Sequence, residues 1–308
     1  MGNNNPSDFT DFQVGDYAVC LIDILGQKAK LEEWDKLPKS DKPTKELIGI
    51  LKKTVGVVLD FKDMFKKFFE VFEQAGMPAL QLASLPEDMQ QYYTRYKDCK
   101  LDVQQFSDTF VFYAPLVNSH RDWTPLPLFR MLVASASAML CSLAAGVPVR
   151  GAITIGQGTE LAPQNFYGPA LAKAHFIEKE TAKHPRIVVS KEAVKYISSP
   201  GGFSDNNHIE QVMLDIATLT HSLTCTDTDG NKIVDFMGQG MKEILDSSAI
   251  QFAEAIEKAY NFVGDEALRF RQKGDEKHAD RYLLLQKYME ARLAIWDLSH
   301  LKGASHGE

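Results

Sequence analysis

In VQQFSDTFVFYAP, residues 103–115, two strand-forming runs are separated by only Ser107 and Asp108. A connection this short makes a hairpin, so this piece of sheet is antiparallel before anything else is known. The runs around it are spaced differently. YAVCLI at 17–22 is continuously apolar, stops at Asp23, and is followed by ILGQKAKLEEW at helical spacing. VPVRGAITI at 147–155 and HPRIVVS at 184–190 also read as strands, and a helix precedes each. The order β, α, β, β, α, β predicts an α+β fold of the ferredoxin-like, split βαβ kind.

Long helical segments are inserted into that order. From 43 to about 74, apolar residues recur at helical spacing and then crowd into Phe61, Phe65, Phe68, Phe69 and Phe72. Pro43 near the start and Gly76 just past the end punctuate one long helix. Its aromatic stripe has two readings, a core-facing stripe or a dimerisation surface. PEDMQQYYTRY predicts a second, short helix, so the insertion covers about 43–96. PLPLFR leads into a helix ending near Ala145, and no charge interrupts the chain between Arg130 and Arg150. Its Ala and Ser content and the GVP near its end favour a buried helix followed by a strand over a membrane span. A helix from about Gly168 to Glu180 follows the next strand. CTDTDGNKIVDF predicts a hairpin turning at Asp229 and Gly230, and two helices broken near Gly274 form the tail. The expected organisation is a domain over 15–240 and a C-terminal helical extension over 241–308.

Composition narrows the class of function. The chain has 308 residues, 44% apolar and 24% charged, an ordinary globular balance with enough length for a sizeable core. Its net charge of −7, without a basic stripe, argues against DNA or RNA duplex as a partner. Cys20, Cys99, Cys141 and Cys225 lack metal or redox spacing and read as reduced thiols. Residues 1–16 carry neither a basic nor an apolar leader pattern, so a cytoplasmic location and no membrane are expected. GQGMK reads as a helix lead-in rather than a phosphate loop, and DTDGN lacks the calcium-loop pattern. The histidines form no ligand cluster. His175 and His184 read as surface or satisfied side chains.

Asp23, at the end of the first strand, and Asp108, in the hairpin turn, come together if those strands are neighbours. Each has a local explanation, since Asp favours turns and helix starts. As a pair they repel, and a shared divalent cation is the usual remedy. A Mg2+ or Mn2+ pair there would also hold a nucleoside triphosphate. The backbone of Leu25, Gly26 and Gln27 at a helix start, with Lys28 beside it, suits phosphate oxygens.

These residues carry a resemblance. IDILG (22–26) resembles the first metal motif of the class III nucleotidyl cyclases, and QQFSD (104–108) the hairpin with their second metal aspartate, with Ser107 where glycine is usual. VRGAITIG (149–156), NFYGPALAKAHFIE (165–178) and HPRIVVS are similar to the following strand, the helix completing the site, and the closing strand. The similarity spans about 17–190. It implies a palm-type cyclase domain in which Asp23, Asp108 and the Ile24 carbonyl hold two Mg2+ or Mn2+ ions. The 3′-oxygen of a bound triphosphate would attack its α-phosphorus, giving a 3′,5′-cyclic nucleotide and pyrophosphate. A homodimer is implied too, since such sites are assembled across two protomers.

The chain departs from that pattern where charge and ribose are handled. Ala172 and Phe176 stand where the family has an asparagine and an arginine; Arg150, Lys173 and Lys179 are the candidate replacements. The base-selecting positions align with Gln104 and Asn165, neutral amides that both donate and accept. The departures leave a second reading open, a non-catalytic nucleotide or metal sensor signalling through its helical tail. A diguanylate-cyclase-like palm fits the strand order but lacks the GG[DE]EF turn.

Overall fold

Strand β1 (Val14–Ile24) is paired on both edges and covered on both faces, Ala18, Cys20 and Ile22 in one buried cluster and Val19 and Leu21 in another, which is why its apolar run is continuous rather than alternating. The computed structural model describes residues 14–39, 42–75, 87, 90, 99–117, 123–162, 164–198, 207–247 and 252–302. Strands β2 (Asp102–Phe106) and β3 (Thr109–Pro115) form the expected hairpin, and Ser107 makes its turn with φ 58°. β3 lies antiparallel on one edge of β1, and β4 (Val149–Ala162) lies antiparallel on the other. β4 turns through Gln164, at φ 62°, into the short β5 (Asn165–Tyr167). β6 (Ile187–Val189) runs parallel to β4, and the hairpin of β7 (Thr224–Thr226) and β8 (Lys232–Val234) extends the sheet beyond it. The result is a mixed eight-stranded open sheet in the order β2-β3-β1-β4-β6-β8-β7, with β5 paired to β4.

Helix α1 (Gln27–Asp35) follows β1, after Gly26 at φ 83°. The inserted helix begins at α2 (Lys45–Leu51), where the Thr44 hydroxyl accepts from Leu47 N. It passes through a π turn at Lys52–Gly56 into α3 (Val57–Ala75). Phe61, Phe65 and Phe69 are buried, with Phe65 stacked on Phe112 at 3.8 Å and Phe61 on Phe110 at 5.6 Å. These three face the core; Phe68 is half-buried beside Phe252. The short helix expected over 86–96 lies outside the described residues except at 87 and 90.

α4 (Leu126–Ala144) lies under the sheet. It is long and apolar enough to cross a membrane, yet 94% of its apolar window is buried inside the protein. On the other face α5 (Pro169–Ile177) lays Ala170 and Ala174 against Val19, Leu21, Val111 and Tyr113, then continues as a π turn at Glu178–Ala182. α6 (Lys191–Ser198) follows β6, and α7 (Asn207–Ser222), a helix the sequence reading does not anticipate, leads into β7. The signal was available, since Ile209, Val212, Met213, Ile216 and Leu219 recur at helical spacing.

α8 (Gln239–Ser247), α9 (Ala253–Gln272) and α10 (Glu276–Glu290) complete the chain, with Gly274 at φ 72° between the last two as expected. Ile256, Tyr260 and Val263 of α9 belong to the same buried cluster as Ile22, Phe112 and the α4 side chains. The sequence reading also misses the length of β4 and all of β5. The outer half of β4 is polar and glycine-containing (GQGTELA), so it lacks the apolar signature of a buried strand.

Candidate functional site

The sheet register decides which side chains meet at the end of β1. Asp23 is opposite Thr109 on β3 and opposite Arg150 on β4. Thr109 Oγ1 donates to Asp23 Oδ1 at 3.1 Å, and Arg150 Nη2 donates to Oδ2 at 3.2 Å. The Nε side of Arg150 lies 2.5 Å from Glu178 Oε1, so one guanidinium bridges two half-buried to buried carboxylates. Asp108 is the next residue along the hairpin; its carbonyl accepts from Ile24 N at 3.1 Å.

Burial raises the pKa of Asp23, the Thr109 hydrogen bond and Arg150 oppose that, and the nearby charge of Asp108 raises it again. Burial raises Glu178 as well; Arg150 opposes and Asp23 adds to the rise. The Asp108 side chain lines an open groove with Lys28, Leu31, Glu32, Asp35 and Lys36. Positions 28, 31, 32 and 35 are one face of α1, as helical spacing requires.

Of the residues expected to cradle phosphate, Leu25 already donates its N–H to Pro148 O at 2.9 Å. Gly26 adopts the left-handed turn that starts α1, and Lys28 is exposed within 3.9 Å of Glu32. The Gln27 side chain is buried, and neither amide atom has a partner among the described residues.

Gln104 and Asn165, the expected base readers, do meet. Gln104 Nε2 donates to Asn165 Oδ1 at 3.4 Å, and Gln104 Oε1 accepts from Phe166 N at 2.9 Å. They flank an aromatic group in which Tyr113 stacks on Phe166 at 4.6 Å and Tyr17 meets Phe166 edge-on.

The three candidate charge stabilisers separate. Arg150 touches Asp23. Lys173 pairs with Glu192 and lines a different groove, beside β6 and α6. Lys179 is exposed, as are Ala172 and Phe176. His175 is exposed, whereas His184 is half-buried and its pKa is pushed down to about 4 by burial and then by Arg186. Its 3.7 Å approach to Asp227 is therefore not a charge pair at neutral pH. Sequence reasoning misses Glu178. The signal was available, since Ala170, Ala174 and Glu178 recur every fourth residue and continue the buried face of α5 toward β1.

Among the described residues no group of three or more His, Cys, Asp and Glu is placed to hold a metal ion. Two carboxylates and a carbonyl remain hard-oxygen donors of the kind Mg2+ and Mn2+ prefer, with other ligands coming from phosphate or water. No protein-family model matches this chain, and no curated protein matches it.

Proposed function

We propose that the protein binds a nucleoside triphosphate with two Mg2+ or Mn2+ ions at Asp23 and Asp108 and cyclises it to a 3′,5′-cyclic nucleotide, releasing pyrophosphate. The observation that carries this reading is the placement of Asp23 and Asp108 on neighbouring strands beside the β1–α1 turn, with Asp23 opposite Thr109 and Ile24 N donating to Asp108 O at 3.1 Å. The order β2-β3-β1-β4, antiparallel at each step, supports it, being the order of a ferredoxin-like or palm-type domain. So does the pairing of Gln104 with Asn165, which offers an amide donor and acceptor to a base at the sheet edge.

Asp23, Asp108 and the Ile24 carbonyl would hold the cations. When bound, these supply activation of the ribose hydroxyl and neutralisation of the leaving phosphates. With Ala172 and Phe176 unable to stabilise charge, Arg150 is the side chain that reaches the site. Released from Asp23, it offers a guanidinium to a phosphate oxygen. The homodimer belongs to the same proposal, and exposed Phe106, Tyr167 and Phe176 give apolar surface near β2, β5 and α5 for it.

A second reading, a sensor that binds nucleotide or metal without turnover, is favoured by one specific observation. Both Asp23 oxygens and the Leu25 amide already have partners within the chain. Incubation of purified protein with each of the four ribonucleoside triphosphates and Mn2+, with products separated by mass, decides between them. A cyclic nucleotide that disappears in Asp23→Ala and Asp108→Ala is the expected result. Binding without product supports the sensor, and no binding of any triphosphate or of Mn2+ overturns both.

A further inference from the structure

Against the β1–α1 turn, a cavity of about 360 Å³ lies between the sheet end and the C-terminal helix pair. Leu25, Gly26, Pro148 and Arg150 form its floor, and α9 and α10 form its roof. It is separate from the Asp108 groove: α1 turns Lys30 toward the cavity, whereas Lys28, Leu31, Glu32 and Asp35 face the groove.

The lining is unusually positive for a chain whose net charge is −7. It contains Lys30, Arg150, Lys183, Arg269 and Arg281 against a single carboxylate, Glu266. Glu266 is spent on Arg269, which it grips at 2.7 and 2.5 Å, and Arg150 is held by Asp23 and Glu178. Lys30 donates only to the Lys53 carbonyl, at 3.2 Å, which supplies no charge. Lys183 and Arg281 have no ion pair or hydrogen bond among the described residues.

Arg281 has Asp275, and Lys30 has Glu33, as a nearby opposite charge without an ion pair, so the cavity carries a cationic excess rather than three bare charges. Lys183 also holds a left-handed backbone, φ 50°, which for a residue with a Cβ costs about 1 kcal/mol or more. A strained backbone and a cationic excess held at one place are features of a binding site rather than of a fold optimised for stability. The rest of the wall is aromatic: Phe262, Phe270 and Tyr282. The volume falls in the range of small-molecule sites, which combine apolar walls with a few convergent polar groups.

We propose that this cavity binds a small organic phosphate, with its phosphate oxygens on Lys30, Lys183 and Arg281 and its flat or apolar body against Phe262 and Tyr282. The cavity shares Leu25, Gly26 and Arg150 with the proposed cyclase site, but none of these three cations pairs with Asp23 or Asp108 among the described residues, so substituting them tests the cavity alone. None of the three makes an ion pair among the described residues, so each gains charge-assisted hydrogen bonds when a phosphate enters.

Calorimetry with ADP and with pyrophosphate, in EDTA so that no divalent cation contributes, tests it. ADP is expected to bind more tightly than pyrophosphate. Lys183→Glu and Arg281→Glu should each weaken ADP at least tenfold; both side chains reach solvent, and a circular-dichroism melt checks the fold of each. Lys195→Glu, an equal charge change on α6, should leave binding unaltered. Pyrophosphate as tight as ADP would overturn the role of the aromatic wall. No ADP binding, or equal weakening by Lys195→Glu, would overturn the site itself, while cyclisation at Asp23 and Asp108 stands or falls separately by the Mn2+ assay.

Discussion

Arg150 is the residue on which the candidate site turns, because it occupies the carboxylate that a cation would need. Asp23 has a raised pKa, chiefly through burial, so it loses its charge at a higher pH than an ordinary aspartate. A cation held by Asp23 is therefore released as pH falls through that raised pKa and held above it. Arg150→Met removes a competitor for Asp23 but also the charge that keeps Asp23 and Glu178 ionised together. Manganese titrations should then show binding about tenfold tighter at pH 8, with the acid loss beginning at higher pH than in the unaltered protein. Metal-free stability should fall by about 1–3 kcal/mol, since two half-buried carboxylates are left without a counter-charge. An unaltered affinity and pH profile would mean that Asp23 is not a ligand.

At the scale of elements, glycines decide how β4, β5 and α5 nest, and with them the Gln104–Asn165 pair. A Cβ on Gly158 would lie 2.2 Å from the Phe166 ring, which is buried against Tyr113 and Tyr17. Gly158→Ala must push Phe166 aside, and with it the backbone N–H that Gln104 holds. Chemical denaturation should report a loss of about 1–3 kcal/mol, as for overpacked cores. Gly49→Ala makes the opposite comparison: it sits inside α2 with nothing within 4 Å of the added carbon, and should stabilise by about 0.5–1 kcal/mol. Equal effects at the two positions would show that Phe166 has room to move. The sequence made the hairpin, the inserted helix and the tail helices legible, because each has strong periodicity or sharp punctuation. β5 was not legible, since three residues carry no period and their strand character comes from pairing with β4.

For the whole molecule, the C-terminal helices behave as part of the core rather than as an attachment. α4 is buried on nearly all sides, and Ile256, Ala259, Tyr260 and Val263 of α9 supply part of that cover. Asp235, just after β8, is tied to Tyr288 and Arg292 beyond it, and the Trp296 indole donates to Met237 O at 2.9 Å. Calorimetric unfolding of the full chain should be a single transition. A chain ending at residue 251 should lose it and bind hydrophobic dyes, because the apolar face of α4 would meet water. Two separate transitions, or a soluble and cooperatively folding truncation, would show that the tail helices fold apart from the sheet.

What the sequence determined by itself was local: a two-residue connection that forces an antiparallel hairpin, an apolar run that forces a strand covered on both faces, and spacings that force helices. It also brought Asp23 and Asp108 to one end of the sheet, because alternating strands and helices leave few ways to order them. Which partners those carboxylates have was decided only in three dimensions. Arg150 and Thr109 reach Asp23 through strand register, Glu178 arrives by the packing of α5, and the cationic cavity forms where α9 and α10 close over the sheet end. Contacts of that kind join residues far apart in the chain, and no local pattern encodes them, since charge pairing and burial depend on the tertiary neighbours that the core selects.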